Sequence, residues 1–390
     1  NSGGVSRYDP ATGAWETFTS NSGLIANFVR GVWEDRDGGM WFATLGGVSL
    51  YLGRSYGTVD VPGLAGAEIN ALLVDRQQQV WVGTAGSGVW RFDGNVWQQV
   101  GQTLAAQTIW SLYEDQAGDI WAGTAGGGAA RWHEGRWQTF LQRDGLADDY
   151  VFAIHQGPDG RLWFGTAQGA SFYDPSTQRW GGVNEQHGLP SGRVTAIAVM
   201  ANGDVWLGTY DKGICRYDGV SCQMFTTENG LIDNGIATGS IVVDDEGRVW
   251  IGHWRGGISH WDGRRWSYLR TTQGLAADRV YSLYRARDGS LWVGTFSGLS
   301  RYDGLSWATY RQTDGLAGNE VTALAEMADG VMWVGTTSGL SWRRQNRTPP
   351  WSKIEFVNGR IADSASAIVP GENVTIERPA SGRVRAVGDT

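Results

Sequence analysis

One unit is written eight times along this chain, and it sets what the chain can fold into. Its marker is a Trp followed by x-Gly-Thr, at Trp41, Trp81, Trp121, Trp163, Trp206, Trp250, Trp292 and Trp333. Ala43 replaces the Gly in the first copy, and His253 replaces the Thr in the sixth. The spacings are 40, 40, 42, 43, 44, 42 and 41 residues. A period of this length marks a repeat architecture, and overlooking it would misassign the whole fold. The seventh copy reads GLAADRVYSLYRARDGSLWVGTFSGLSRYDGLSWATY (274–310). It holds four short β-type runs: strand A (VYSL), strand B (LWVGT), strand C (GLSRY) and strand D (WATY). Asp-Gly or Asn-Gly stands between A and B (Asp159-Gly160, Asn202-Gly203, Asp288-Gly289) and again between C and D (Asp93-Gly94, Asp218-Gly219, Asp262-Gly263, Asp303-Gly304). Such dipeptides between apolar runs are hairpin signals, because their residues accept positive φ. Four antiparallel strands per unit, with no 3.6-residue periodicity, predict an all-β fold: a β-propeller of four-stranded blades.

The recurrent residues have structural explanations. The strand-B Trp packs between blades, its Gly allows close backbone approach, and the Leu of each Gly-Leu pair (Leu24, Leu146, Leu189, Leu275, Leu316) plugs the blade interface. The repeats predict a propeller over 1–344 with about eight blades, strand D near Ala14 to Phe18 completing the copy that ends at Trp342. Seven blades with an overhang, nine blades, or a piece of a two-ring array are the alternatives. RQNRTPPW (344–351) reads as a linker, and 345–390 as a linker plus the truncated start of an Ig-like β-sandwich.

Net charge is −8 with pI near 5.2, which argues against a nucleic-acid groove and an anionic membrane surface. No run of 18 apolar residues offers a bilayer span. The chain opens inside a repeat (GGVSRYDP, 3–10), so it is expected to be a piece of a longer protein.

VYSLYRARDGSLWVGTFSGLSRYDG (280–304), VFAIHQGPDGRLWFGTAQGASFYD (151–174) and VTALAEMADGVMWVGTTSGLSW (321–342) resemble the two-component regulator propeller repeat. The resemblance covers residues 3–344. It implies an extracytoplasmic (periplasmic or cell-surface) sensor domain of a membrane-anchored bacterial signal-transduction protein. The output would lie outside this chain, commonly as a histidine kinase. Members often sense carbohydrates. The expected function is therefore non-enzymatic ligand sensing, with a small molecule or saccharide as partner. A protein-interaction or homodimerisation scaffold is the alternative. A weaker one is a lyase similar to streptogramin lyases, for which His253 would be the sole candidate residue.

In a propeller the A–B and C–D turns share one face, and here that face is monotonously Asp-Gly. The D–A and B–C connections share the other, which varies from copy to copy. The B–C connection contributes Tyr210 and Lys212 in copy 5, His253, Trp254 and Arg255 in copy 6, and Phe296 in copy 7. Eleven residues before the strand-B Trp, near the channel mouth, stand Arg30, Trp110, Phe152 and Tyr281. These ten form the candidate ligand site. Aromatic rings offer rigid faces for stacking, and Arg and Lys offer donors or an anion contact. Copy 6 is irregular twice: Leu231 to Trp250 spans 19 residues where other copies have 17, read as a longer D–A connection, and its B–C connection carries HWRG.

No His pair has metal-ligand spacing, and no phosphate-cradling loop or G-x-S-x-G appears, so no metal, cofactor or catalytic residue is expected. Cys215 and Cys222 flank the turn at Asp218-Gly219. A two-residue turn centred there sets them opposite each other, as a cross-strand disulfide or as two free thiols.

Overall fold

The structure, a computed structural model, describes residues 64–344 apart from 65, 105, 191, 245 and 329. Outside that span it describes the strands Val5–Asp9, Ala14–Phe18, Val29–Glu34, Met40–Thr44, Gly47–Tyr51, Gly57–Thr58, Trp351–Ile354, Phe356–Val357, Arg360–Ile361, Val374–Glu377 and Arg385–Gly388. The chain divides into two compact units, 56–343 and 1–55 with 344–390.

The first unit is a seven-bladed β-propeller. Copies 2 to 8 each build one four-stranded antiparallel blade, and the blades keep those numbers below. Blade 7 shows the plan: A is Val280–Arg285, B Leu291–Thr295, C Gly298–Tyr302 and D Trp307–Tyr310. Blade 8 takes only A, B and C from its own copy (Val321–Glu326, Val331–Thr336, Gly339–Arg344). Its outer strand is Gly57–Thr58, paired as Ser341↔Thr58 and Trp342↔Gly57, so the two ends of the unit share one sheet and close the ring. At the inner edge of the same closure, the Thr322 hydroxyl donates to the Ile69 carbonyl.

This differs from the sequence expectation in two respects. Ala14–Phe18 pairs with Val5–Asp9 and does not complete blade 8. Copy 1 (Val29–Glu34, Met40–Thr44, Gly47–Tyr51) forms a sheet with Trp351–Ile354 in the second unit. Hairpin grammar is local and identical in all eight copies, so it cannot say which ring a blade joins. The two residues that close blade 8 carry no apolar pattern at all. In the tail, Phe356–Val357 pairs with Arg360–Ile361 and Val374–Glu377 with Arg385–Gly388.

Each strand-B Trp in the ring is buried against the next blade. Trp81 lies among Ile109, Ile120 and Ala122 of blade 3. The approach is close enough that a Cβ on Gly83 would sit 2.7 Å from Ile109 Cγ2, which is why Gly follows the Trp. Many of these indoles have a designated acceptor: Trp81 and Trp121 donate Nε1–H to Asp75 and Asp115 at 2.8 Å, and Trp206 to the Met200 sulfur at 3.1 Å. The Gly-Leu leucines Leu64, Leu146, Leu189, Leu231, Leu275 and Leu316, and Leu104 at the same place after Thr103, are all buried, each worth about 1.5–3 kcal/mol of burial.

The C–D turns are centred one residue later than a turn on Asp-Gly would be. In blade 5, Tyr217 faces Cys222 and Cys215 faces Met224. Gly219 takes the first central position with φ +98°, and Asp218 Oδ1 accepts the N–H groups of Val220 and Ser221 at 2.9 Å. Asp is thus the acceptor that closes the turn, and these backbone donors hold the carboxyl below its usual range. Cys215 and Cys222 are consequently diagonal rather than opposite, and they are disulfide-bonded across a Cα–Cα distance of 5.3 Å.

Candidate functional site

On the face of the D–A and B–C connections, one backbone bond recurs in every blade of the ring. The first residue of the B–C connection donates its N–H to the carbonyl of the residue just before strand A. The seven pairs are Ala85 to Glu68, Ala125 to Thr108, Ala167 to Tyr150, Tyr210 to Arg193, Trp254 to Gly235, Phe296 to Arg279 and Thr337 to Glu320, at 3.0–3.2 Å. The bond sets two side chains from distant sequence next to each other. A second tie uses the strand-B Thr. In six blades its hydroxyl donates to the carbonyl of the glycine that ends the turn, as Thr209 to Gly213 at 2.7 Å, and accepts a turn N–H, as from Lys212 at 2.9 Å. Thr84, Thr124, Thr166, Thr295 and Thr336 do the same.

Blade 6 has His253 in that place. The sequence puts it among the ligand contacts, but the structure withdraws it: the residue is 0% exposed. Ser259 Oγ accepts the Ile232 N–H at 3.1 Å and shares a hydrogen bond with His253 Nε2 at 2.8 Å. The other ring nitrogen, Nδ1, is buried. Burial dominates and drives the imidazole pKa down to about 4, outweighing the Asp233 charge and the Gly235 and Asp233 carbonyls that favour the cation. The imidazole therefore fills the core beneath the turn.

The two extra residues of copy 6 also lie elsewhere than expected. Leu231 to Ile236 has the length found in the other blades, so the D–A connection is ordinary. The other blades leave strand register for one residue, such as Tyr281 between Val280 and Ser282. Blade 6 leaves it between Ile236 and Ile241, so the extra residues enlarge a β-bulge in the innermost strand. A count from Leu to Trp cannot separate loop from bulge.

The remaining candidates form an arc across blades 3 to 7. Trp110 and Phe152 lie 6.1 Å apart. Arg193 stands over both Phe152 and Tyr210, at 5.9 and 5.5 Å. Trp254 sits between Tyr210 at 6.3 Å and Tyr281 at 6.0 Å. Arg279 then stands over Tyr281 and Phe296, at 5.2 and 5.6 Å. The centre is an open cavity of about 560 Å³ lined by Tyr210, Trp254, Arg255, Gly256, Asp278 and Arg279, a volume ordinary for a small-molecule site. Tyr210 and Phe296 are nearly half exposed, Trp254 half-buried, and the three arginines exposed.

Two candidates stay out of this arrangement. Lys212 pairs with Asp211 at 3.6 Å and does not line the cavity. Arg30 lies in the copy-1 strand Val29–Glu34, in the other unit, and its side chain is outside the described residues. Two residues of the arc, Arg193 and Arg279, are not among the sequence candidates: they sit thirteen residues before the strand-B Trp, two positions upstream of Phe152 and Tyr281 and their equivalents. Comparing that column across copies would have found them, since it also holds Glu68, Thr108, Tyr150 and Glu320.

Four repeats, 63–86, 103–126, 145–168 and 274–297, match the family described as two component regulator propeller. No curated protein matches the chain. The fold is similar to the extracellular domain of a protein assigned as a hybrid two component system from B. thetaiotaomicron, with TM-score 0.69 and 17% identity over 96% of this chain and 52% of that one. It is similar to a catalytically inactive virginiamycin B lyase from Staphylococcus aureus, with TM-score 0.61 and 12% identity over 74% and 98%. It is also similar to PorZ, a surface component of the type-IX secretion system of Porphyromonas gingivalis, with TM-score 0.58 and 18% identity over 82% and 53%. At such identities the likeness is one of fold. The chain spans about half the length of the first and third of these structures.

Proposed function

Starting from a chain that carries two-component regulator propeller repeats, we propose that the ring is the ligand-sensing part of a longer signal-transduction protein. Its ligand, a small molecule or saccharide, binds the arginine–aromatic face of blades 5 to 7 without being chemically changed. One observation carries this reading: the cavity lined by Tyr210, Trp254, Arg255 and Arg279 lies where the repeats diverge most, on a frame that is otherwise repeated blade by blade. Rings and guanidinium groups recognise ligands, and the one carboxylate in the lining, Asp278, already accepts the Thr271 N–H at 2.7 Å. A lyase reading would need His253 at the surface, and it is sealed beneath the turn.

An extracytoplasmic location is supported by the Cys215–Cys222 disulfide, which persists in oxidising compartments. The extracellular origin of the B. thetaiotaomicron structure agrees with it. The exposed Tyr210 and Phe296 favour a second reading, a homodimer or protein-partner surface.

Thermal-shift screening of a glycan and metabolite panel, with Trp254→Ala as the control, tests the first reading. A compound that stabilises the wild type and not the variant supports it. If no compound does, and light scattering gives a dimer that the same substitution breaks, the scaffold reading replaces it.

A further inference from the structure

Building on the sensing reading, we propose that the ligand is an acidic saccharide, its sugar ring on Trp254 and its carboxylate or sulfate held by Arg255 and Arg279. Gly235 is the specificity-determining residue that makes room for it.

The protein is acidic overall, yet Arg193, Arg255 and Arg279 gather on one sector of this face. None of the three guanidinium groups makes an ion pair or hydrogen bond among the described residues. The carboxylates beside them keep their charge but direct oxygens to other donors. Asp233 Oδ1 accepts the Gly235 N–H at 2.7 Å, Asp278 accepts the Thr271 N–H at 2.7 Å, and Asp211 holds Lys212. Across the ring closure, the column that supplies Arg193 and Arg279 supplies Glu68 and Glu320. The face thus sets Glu68 and Glu320 at blades 2 and 8 and three arginines without an ion pair among the described residues at blades 5 to 7. A ligand with anionic substituents is steered to the second and repelled by the first. Guanidinium forks match carboxylate and sulfate oxygens in a way an ammonium does not.

The ring argument rests on Gly235. It is the only glycine in its column, and its φ lies outside the left-handed region, so the backbone does not demand it. A Cβ there would stand 3.1 Å from the Tyr210 carbonyl oxygen and 3.2 Å from Trp254 Cδ1. The missing side chain lets the indole lie between Tyr210 and Tyr281, where the neighbouring blades place an arginine. Trp254 Nε1 is buried there with no partner. The indole face is the apolar platform against which a sugar ring stacks.

The test uses two ligand pairs that share a sugar backbone and differ in net charge: tetragalacturonate against its full methyl ester, and sulfated cellotetraose against cellotetraose. Titration calorimetry of the full chain should give at least about tenfold tighter binding for one charged member than for its neutral partner, weakening with added salt. The pair that responds distinguishes carboxylate from sulfate. Arg255→Gln and Arg279→Gln should each cost about tenfold and flatten the salt dependence. Gly235→Ala should weaken the charged ligand at unchanged net charge, with an unchanged melting temperature showing that the fold is intact. Equal binding of charged and neutral partners overturns the acidic class and leaves the sensing site standing. So does a panel compound that binds in a Trp254-dependent manner while all four oligosaccharides fail. Failure of every compound overturns the sensing reading as well.

Discussion

Replacing His253 with Thr should make the ring less sensitive to acid. The imidazole has an ordinary value of 6.5 and is held at about 4 by burial. Between these values the unfolded chain binds a proton that the folded ring refuses. Stability therefore falls as pH drops from 6.5 toward 4, and levels off once the folded state also takes the proton. The full shift is worth about 3 kcal/mol, of which about 2 kcal/mol is lost between pH 7 and pH 5. His155 and His260 are also held down by burial, so the wild-type slope contains their share, and only the difference between proteins isolates His253. Threonine restores the hydroxyl tie of the six other blades and leaves a smaller side chain beside Ser259. Both effects are independent of pH and appear as a constant offset. Thermal unfolding of wild type and His253→Thr at pH 7, 6 and 5 should show the gap moving toward the variant by about 2 kcal/mol, or about 4 °C. Parallel pH dependences would refute the account of a buried, neutral imidazole.

Three further outcomes are expected. Reductant should release two thiols, Cys215 and Cys222, where none titrates before. Because the bridge closes a loop of only seven residues' separation, its loss should cost no more than about 2.5 kcal/mol, and two thiols titrating in the untreated protein would refute the bond. Asp115→Ala removes the acceptor for the Ala117 and Asp119 N–H groups and for Trp121 Nε1, and should lower stability by about 3 kcal/mol in urea unfolding; a loss under about 0.5 kcal/mol would mean those donors find other partners. Leu275→Ala should cost about 2–5 kcal/mol by emptying a blade interface, while Leu305→Ala, at a residue 95% exposed, should stay within about 0.5 kcal/mol; similar losses at both would refute the plug assignment.

Blade architecture was legible because its causes are local. Trp81, Gly83 and the Asp93-Gly94 turn each declare their role within a few residues. Ring closure was not legible, since Gly57–Thr58 is recognised only by the strand that lacks a partner, Gly339–Arg344. The cysteine register failed for a related reason: Asp218 is the acceptor that closes its turn, and Gly219–Val220 form its centre. At the site, Tyr210, Trp254, Tyr281 and Phe296 stood out because large rings on a variable face are conspicuous. Arg193 and Arg279 did not, because a lone arginine at a strand entrance looks like any solvated charge until its stacking partners are known. His253 misled because replacing Thr with His changes size and burial together, and only coordinates show that the larger side chain turned inward.

The bond joining each B–C connection to the residue before strand A uses main-chain atoms at both ends. Any residue but proline can donate it, and any residue can accept it. Mutation can therefore rewrite both side chains of a blade without loosening the loops that display them. The ring carries seven such two-letter registers around one mouth, and three of them, Arg193 with Tyr210, Gly235 with Trp254 and Arg279 with Phe296, stand side by side. The side chains on this face are displayed by a medium that is indifferent to them, so the face can be rewritten one register at a time while the other blades continue to hold the fold.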